Sequence, residues 1–322
     1  MAFENVTNSA LMYAIPALRR AIPADARLHA WHAADGWPLR RLDWPAARPR
    51  GRLLFQGGRG DFIEKYLEGF GHFHAAGWSV TAFDWRGQGG SGRNTADPHV
   101  GHAASFLPWL DDLEAVWRDW SAQGSGPRVV IGHSMGGFLV LRALAEQRIE
   151  ADAAVLVAPM LGLRSPLGPR WGGQVARLLA SLGDPARPAW KGNERPASAM
   201  SRQRLLTHDA SRYEDEGWWC DAHPEIRLGP PSWAWVREAF AATRALEADT
   251  RLGAVSTPLL MLVADADGLV DARAAVRIGA RLSRASIVRF GSESAHEILR
   301  EADPVRDRAL AAIDQFLEEH AG

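Results

Sequence analysis

Residues 132–136, Gly132-His133-Ser134-Met135-Gly136, place a serine between two glycines at the spacing G-x-S-x-G. This is the spacing of a nucleophile held on a sharp turn from a strand into a helix. Such a turn strains the serine backbone and brings the positions two before and two after it too close for side chains. The flanking residues fit, because the apolar run "PRVVI" leads in and "GFLVLRALAEQ" leads out with helical character. The same turn aims the N-terminus of the next helix, with the Met135 N–H, at the serine. A serine hydroxyl is a poor nucleophile until a base takes its proton and an acid orients that base. Behind a turn of this type the chain order is serine, acid, histidine. Downstream, "ADADGLVDAR" offers Asp265, Asp267 and Asp271, and "FGSESAHEIL" offers His296. Asp265 lies close to the strand end, and Asp271 suits the first turn of the following helix, where an acid meets the helix dipole. Asp267 is therefore read as the acid. His133 adjoins the serine on the tight turn, points elsewhere and reads as structural.

The elements that must position these residues are short apolar runs ending in Gly, Asp or Pro. They fall at 51–58, 78–87, 127–134, 152–160, 257–267 and 285–292. Their middles are continuously apolar rather than alternating, as in strands covered on both faces. Helical stretches lie at 62–76, 103–122, 136–147, 271–282 and 303–319, and this alternation predicts a doubly wound, mostly parallel sheet. Residues 27–45 read as an antiparallel edge hairpin around Asp35-Gly36. Acid and base then sit in loops at the carboxyl ends of neighbouring strands, where a doubly wound sheet keeps its chemistry. The rhythm breaks over 161–252, which reads as a helical insertion between core segments 1–160 and 253–322. That insertion holds six of the fourteen tryptophans, so an apolar surface or pocket is expected there.

Other function classes find little support. A net charge of −1 lacks the footprint of a nucleic-acid binder. The single cysteine, Cys220, leaves no disulfide framework and no cysteine-based zinc site. With no basic leader and no apolar run of membrane-spanning length, a cytoplasmic protein is expected. The segment 9–22 reads as a packing helix, with peripheral contact to the inner membrane face as the alternative. Gly87 to Gly92 spell G-x-G-x-x-G, yet no helix follows to aim at a pyrophosphate, so the loop is read as shaping the region beside the nucleophile. Residues 53–66, "LLFQGGRGDFIEKY", lack the Lys-Ser or Lys-Thr of a phosphate loop. An adhesion role for Arg59-Gly60-Asp61 has no setting in an intracellular chain.

Taken in order, "FDWRGQGGSG" (83–92), "GHSMGG" (132–137), "LMLVADADGLVD" (260–271) and "SAHEILRE" (294–301) resemble the α/β-hydrolase superfamily. "FIEKY" (62–66) and "HPEIRLGPPSWAWVREAF" (223–240) are similar to its monoacylglycerol lipase and bacterial lysophospholipase branch. The resemblance spans roughly residues 28 to 318. It implies an α/β-hydrolase fold, a Ser134–Asp267–His296 triad, no cofactor, and a helical cap over an acyl pocket. Trp218, Trp219, Trp233 and Trp235 are the pocket candidates. The chain departs from many relatives in having Gln56-Gly57-Gly58 where they carry His-Gly, so Gly58 and Arg59 both stand as candidates to complete an oxyanion hole with Met135. The expected activity is hydrolysis of a lipid-like ester, a lysophospholipid or monoacylglycerol. The alternatives are a general small-molecule esterase or acyltransferase on the same triad, and a catalytically silent binding module. Haloalkane dehalogenase and epoxide hydrolase relatives carry an aspartate where this chain has Ser134.

Overall fold

The computed structural model describes residues 18–190 and 202–322. All but the last five residues of the 9–22 segment lie outside them. Its core is an eight-stranded sheet in the order β1-β2-β4-β3-β5-β6-β7-β8. The strands are β1 (Arg27–His32), β2 (Pro38–Trp44), β3 (Gly51–Gln56), β4 (Trp78–Phe83), β5 (Arg128–His133), β6 (Ala153–Val157), β7 (Leu259–Ala264) and β8 (Ala285–Phe290). β1 and β2 form the edge hairpin and pair antiparallel; every pairing from β4 to β8 is parallel. β3, β6 and β7 are buried at every position, which accounts for their unbroken apolar runs.

The helices that cover the sheet are α1 (Leu67–Ala75), α2 (Leu107–Ser121), α3 (Met135–Ala145), α8 (Ala272–Gly279) and α9 (Asp303–Ala321). The first begins later than the 62–76 pattern implies, because Ile63–Tyr66 wind as a 3-10 turn before the α-helix starts. Between β6 and β7 the chain forms α4 (Gly168–Ser181), α5 (Arg202–Leu206), α6 (Ala210–Ala222) and α7 (Trp233–Ala248). Two isolated bridges, Leu163 with Val270 and Gly101 with Pro231, tie this stretch to loops at the carboxyl ends of the strands. This is the α/β-hydrolase fold. Two apolar clusters fill the space on the two faces of the sheet, one centred on α2 and α3, the other on α1 and α9. No helix of the described residues is long and apolar enough to cross a membrane.

The site follows from the strand order. From β3 the chain moves outward to β4, then returns to the other side of β3 to form β5. The crevice of an open sheet opens where the winding reverses, at the carboxyl ends of β3 and β5. Register pairs Gln56 with Gly132 there. The loop after β3 is thereby set beside Ser134.

Candidate active site

Ser134 joins β5 to α3 with φ 52° and ψ −116°. A non-glycine residue in that region costs on the order of 1–3 kcal/mol, so the surroundings must hold it. They do so through its N–H, which donates to the Val157 carbonyl at 2.9 Å, and its carbonyl, which accepts from Met160 and Phe138. The flanking glycines answer to different neighbours. A Cβ on Gly132 would lie 2.8 Å from the Gly136 carbonyl, within the turn itself. A Cβ on Gly136 would lie 2.5 Å from the Gly57 carbonyl oxygen, in the loop after β3.

His296 reaches the serine from the loop after β8, with Nε2 2.8 Å from Ser134 Oγ and Nδ1 2.5 Å from Asp267 Oδ2. Asp267 is fixed in turn: its Oδ1 accepts from the Leu269 and Val270 N–H groups at 2.7 and 3.0 Å. All three side chains are buried. Asp265, two residues earlier, turns outward to pair with Arg289, and Asp271 caps α8 by accepting from the Arg273 N–H.

The loop after β3 presents Gly58 against Ser134, where a Cβ would lie 2.9 Å from Ser134 Cβ. Its N–H is committed, because it donates to Asp61 Oδ2 at 2.6 Å. Met135 is the first residue of α3, where a helix leaves its N–H groups without an internal acceptor. The G-x-G-x-x-G loop and Trp85, just before it, brace this region from the side. Gln88 Oε1 accepts from the Gly60 N–H at 2.5 Å, and Trp85 Nε1 donates to the Gly57 carbonyl at 2.8 Å.

Asp61 is the residue that sequence reasoning missed. It is buried, and its Oδ2 also accepts from the Tyr66 hydroxyl at 2.7 Å and faces His133 Nδ1 at 3.1 Å. Its Oδ1 accepts from Lys65 Nζ at 2.6 Å. Burial alone would raise this carboxyl, but the Lys65 ammonium and His133 hold it well below the ordinary value. His133 therefore does not point away from the site. Its other nitrogen lies 3.3 Å from the His296 carbonyl, so it links Asp61 to the loop carrying His296. A signal did exist in the sequence: Asp61 and Lys65 stand at i and i+4 directly after a strand-ending glycine pair.

These groups open onto a cavity of about 520 Å³. Leu163, Val175, Trp190, Trp233, Trp235 and Phe240 form much of its wall, while Asp61, Lys65, Arg202 and Glu297 line a charged portion. The tryptophan expectation divides here. Trp233 and Trp235 line the cavity, but Trp218 and Trp219 do not. Trp219 is buried on the far side of α6, donating to the Arg19 carbonyl at 2.8 Å, and Trp218 stacks edge-on against it beneath Arg20. Adjacent residues on a helix are about 100° apart, and this face of α6 is turned toward the N-terminal segment.

Comparison with known proteins agrees with the architecture. The model of the hydrolase 4 family, serine aminopeptidase S33, matches residues 47–303. Lysophospholipase L2 of Escherichia coli (strain K12) is 33% identical over 301 residues, covering 89% of this chain and 86% of its own. A probable lysophospholipase L2 of Haemophilus influenzae is 27% identical over 283 residues, covering 86% and 87%. Among solved structures, a soluble variant of monoglyceride lipase from Saccharomyces cerevisiae, in complex with a substrate analogue, has a TM-score of 0.71 at 18% identity. It covers 94% of this chain and 98% of its own, a likeness of fold.

Proposed function

The chain belongs to the hydrolase 4 family (serine aminopeptidase, S33), and on that premise we propose that this serine hydrolase cleaves lipid-like carboxylic esters through an acyl-enzyme. His296 Nε2 takes the Ser134 proton as Oγ attacks the ester carbonyl carbon. Asp267 keeps the other imidazole nitrogen protonated and stabilises the imidazolium that forms. The carbonyl oxygen becomes an oxyanion, held by the Met135 N–H and by the Arg59 N–H, since that of Gly58 is engaged by Asp61. A donor of this kind contributes about 3 kcal/mol to the transition state. The intermediate collapses, His296 returns the proton to the leaving alcohol, and Ser134 carries the acyl group. Water then gives its proton to His296 and attacks the acyl carbonyl, and His296 returns that proton to Ser134 Oγ as the bond to the acyl group breaks and the fatty acid leaves.

The observation that carries this reading is the hydrogen-bonded line from Ser134 through His296 to Asp267, opening into a cavity walled by aliphatic and aromatic side chains. We assign residues 161–252 as the cap, which supplies Val175, Trp190, Trp233, Trp235 and Phe240 to that wall. The acyl chain lies along it, and the headgroup of a lysophospholipid or the glycerol of a monoacylglycerol meets the charged portion. The lysophospholipase and monoglyceride lipase relatives support the same substrate class. A fluorophosphonate probe is expected to label the protein, and Ser134→Ala to abolish labelling; a folded wild type that resists the probe would overturn the mechanism. On p-nitrophenyl esters, rates should rise from acetate towards longer acyl chains. Activity confined to acetate would point to a general esterase instead.

A further inference from the structure

His296 and the loop after β3 must meet at Ser134, yet they arrive from distant strands. β3 and β8 lie four strand spacings apart in the sheet, roughly 19 Å. Among the described residues, no main-chain hydrogen bond joins the loop after β3 to the loop carrying His296. On its far side the histidine loop is fixed to α5, where the His296 and Glu297 N–H groups donate to the Leu205 and Leu206 carbonyls at 3.3 and 2.7 Å. Toward the loop after β3 it is held by side chains.

Those side chains form two arms that start from one carboxylate. In the first, Asp61 Oδ2 meets His133 Nδ1, and His133 Nε2 lies 3.3 Å from the His296 carbonyl. A carbonyl only accepts, so that Nε2 carries a proton and donates it. In the second, Asp61 Oδ1 accepts from Lys65 Nζ, which also donates to Glu297 Oε1 at 2.8 Å. The arms thus hold the carbonyl of His296 and the side chain of the next residue. The Gly58 N–H ties the same carboxylate to the loop beside Ser134. With Tyr66, four donors reach Asp61, about as many as a carboxylate has lone pairs. The glycine pair gives it room: a Cβ on Gly57 would lie 2.9 Å from Asp61 Cβ. Composition points to the same place. Of the 37 lysines and arginines in the chain, two are lysines, Lys65 and Lys191. A compact ammonium with three rotatable donors suits three buried carboxylates, Asp61, Glu216 and Glu297, better than a planar guanidinium fork.

We infer that Asp61 is a positioning residue for the triad: it sets the loop carrying His296 and the loop after β3 in register across Ser134. The chemistry needs that register. His296 must stay within a hydrogen bond of Oγ while the oxyanion donors face the same carbonyl group, and a misplacement of about 1 Å costs on the order of a hundredfold in rate. A charge cluster that only stabilised the fold would leave kcat of the folded protein unchanged. The inference rests on the serine-hydrolase mechanism proposed above and not on a lipid substrate. Its test therefore uses p-nitrophenyl butyrate, which has no headgroup to meet the charged portion of the cavity.

Asp61→Ala, assayed where circular dichroism shows it folded, should lower kcat by roughly a hundredfold and leave KM within about twofold of wild type. Asp61→Asn keeps an acceptor for Gly58, Tyr66 and His133 but sets its amide N–H groups against the Lys65 ammonium, so a loss of roughly tenfold is expected. Glu297→Gln weakens the second arm alone and should cost about as much. Added to Asp61→Ala it should lower kcat little further, because that arm is already cut. A proton NMR spectrum supplies a readout independent of turnover. The proton on His296 Nδ1, a nitrogen 2.5 Å from Asp267 Oδ2, should give a far-downfield line in wild type that Asp61→Ala broadens or abolishes. A folded wild type that resists both fluorophosphonate and ester would remove the mechanism, and the line would still report on Asp61. Unchanged kcat, or an unchanged line, in folded Asp61→Ala overturns the inference. So does a loss confined to KM, which would make Asp61 a substrate contact, and so do Asp61 and Glu297 losses that simply multiply. Should Asp61→Ala fail to fold, Asp61→Asn and Glu297→Gln carry the same test.

Discussion

Asp265 and Asp267 differ by two positions at the end of β7, yet one pairs with Arg289 in solvent and the other meets His296 at 2.5 Å. A strand alternates its side chains, but the chain has left β7 by Asp265, so the choice between them rests on the turn. Asp267 Oδ1 closes that turn onto the Leu269 and Val270 N–H groups, which leaves Oδ2 for the histidine. Asp267→Asn is expected to lower kcat by about three to four orders of magnitude with the fold retained, because the imidazole loses its required tautomer. Asp265→Asn should stay within a few-fold of wild type, since an exposed pair contributes about 0–1 kcal/mol. Steady-state kinetics on one ester decide it, and a larger loss at Asp265 would overturn the assignment. The candidate triad was legible because its spacing and order are properties of the chain. The spacing of Asp61 from Lys65 was visible, but its importance was not, since that arises from Gly58, Tyr66 and His133 converging on one carboxylate after folding. The division of Trp218 and Trp219 from Trp233 and Trp235 was equally hidden, because composition counts side chains and does not show which way a helix faces.

At the scale of elements, the turn at Ser134 and the loop after β3 act as one unit. Gly136 belongs to the first by sequence and to the second by contact. An alanine there would meet the carbonyl oxygens of both Gln56 and Gly57, and neither backbone can give way without moving the candidate oxyanion donors. Gly136→Ala is expected to cost roughly 1–3 kcal/mol of stability by overpacking, together with a fall in kcat. Gly69, in α1, is the control: among the described residues an added Cβ finds nothing within 4 Å. Gly69→Ala should be neutral or stabilise by up to about 1 kcal/mol through helix propensity. Urea unfolding of both variants tests the pair, and equal losses would mean that helix and strand packing, rather than the carbonyl contacts, explains Gly136. The core elements were readable because strands covered on both faces keep an unbroken apolar signature, as in β3, β6 and β7. The helices between β6 and β7 carry a weaker one. α4 is apolar on a face that turns outward, and α6 buries Arg212, Asp215 and Glu216 instead of aliphatics.

At the scale of the whole molecule, those buried charges join the helices between β6 and β7 to the helices and loops around the sheet. Lys65 Nζ lies 2.6 Å from Asp61, 2.8 Å from Glu297 and 3.1 Å from Glu216, so one ammonium gathers the loop after β3, the loop carrying His296 and helix α6. Arg300 pairs with Glu297, and Arg212 of α6 reaches Glu68 on α1 and Asp303 on α9. Burial would raise the Glu297 carboxyl, but Arg300 and Lys65 outweigh it and push it down to about 2. Asp61 is likewise held well below its ordinary value. Carboxyls depressed in the folded state stabilise it fully above their unfolded values of about 4 and release that stability as pH falls through the folded ones. The thermal midpoint should therefore show no loss from these groups between neutral pH and about 5, then drop between about 4.5 and 2. Lys65→Met removes the shared ammonium and leaves three carboxylates in the interior, at a cost of about 3–5 kcal/mol at neutral pH. Protonation relieves those carboxylates, so the gap between variant and wild type should be widest near pH 7 and close as pH falls. Thermal melts by circular dichroism at stepped pH values measure it, and a gap constant across that range would mean that Lys65 acts through packing and not through charge.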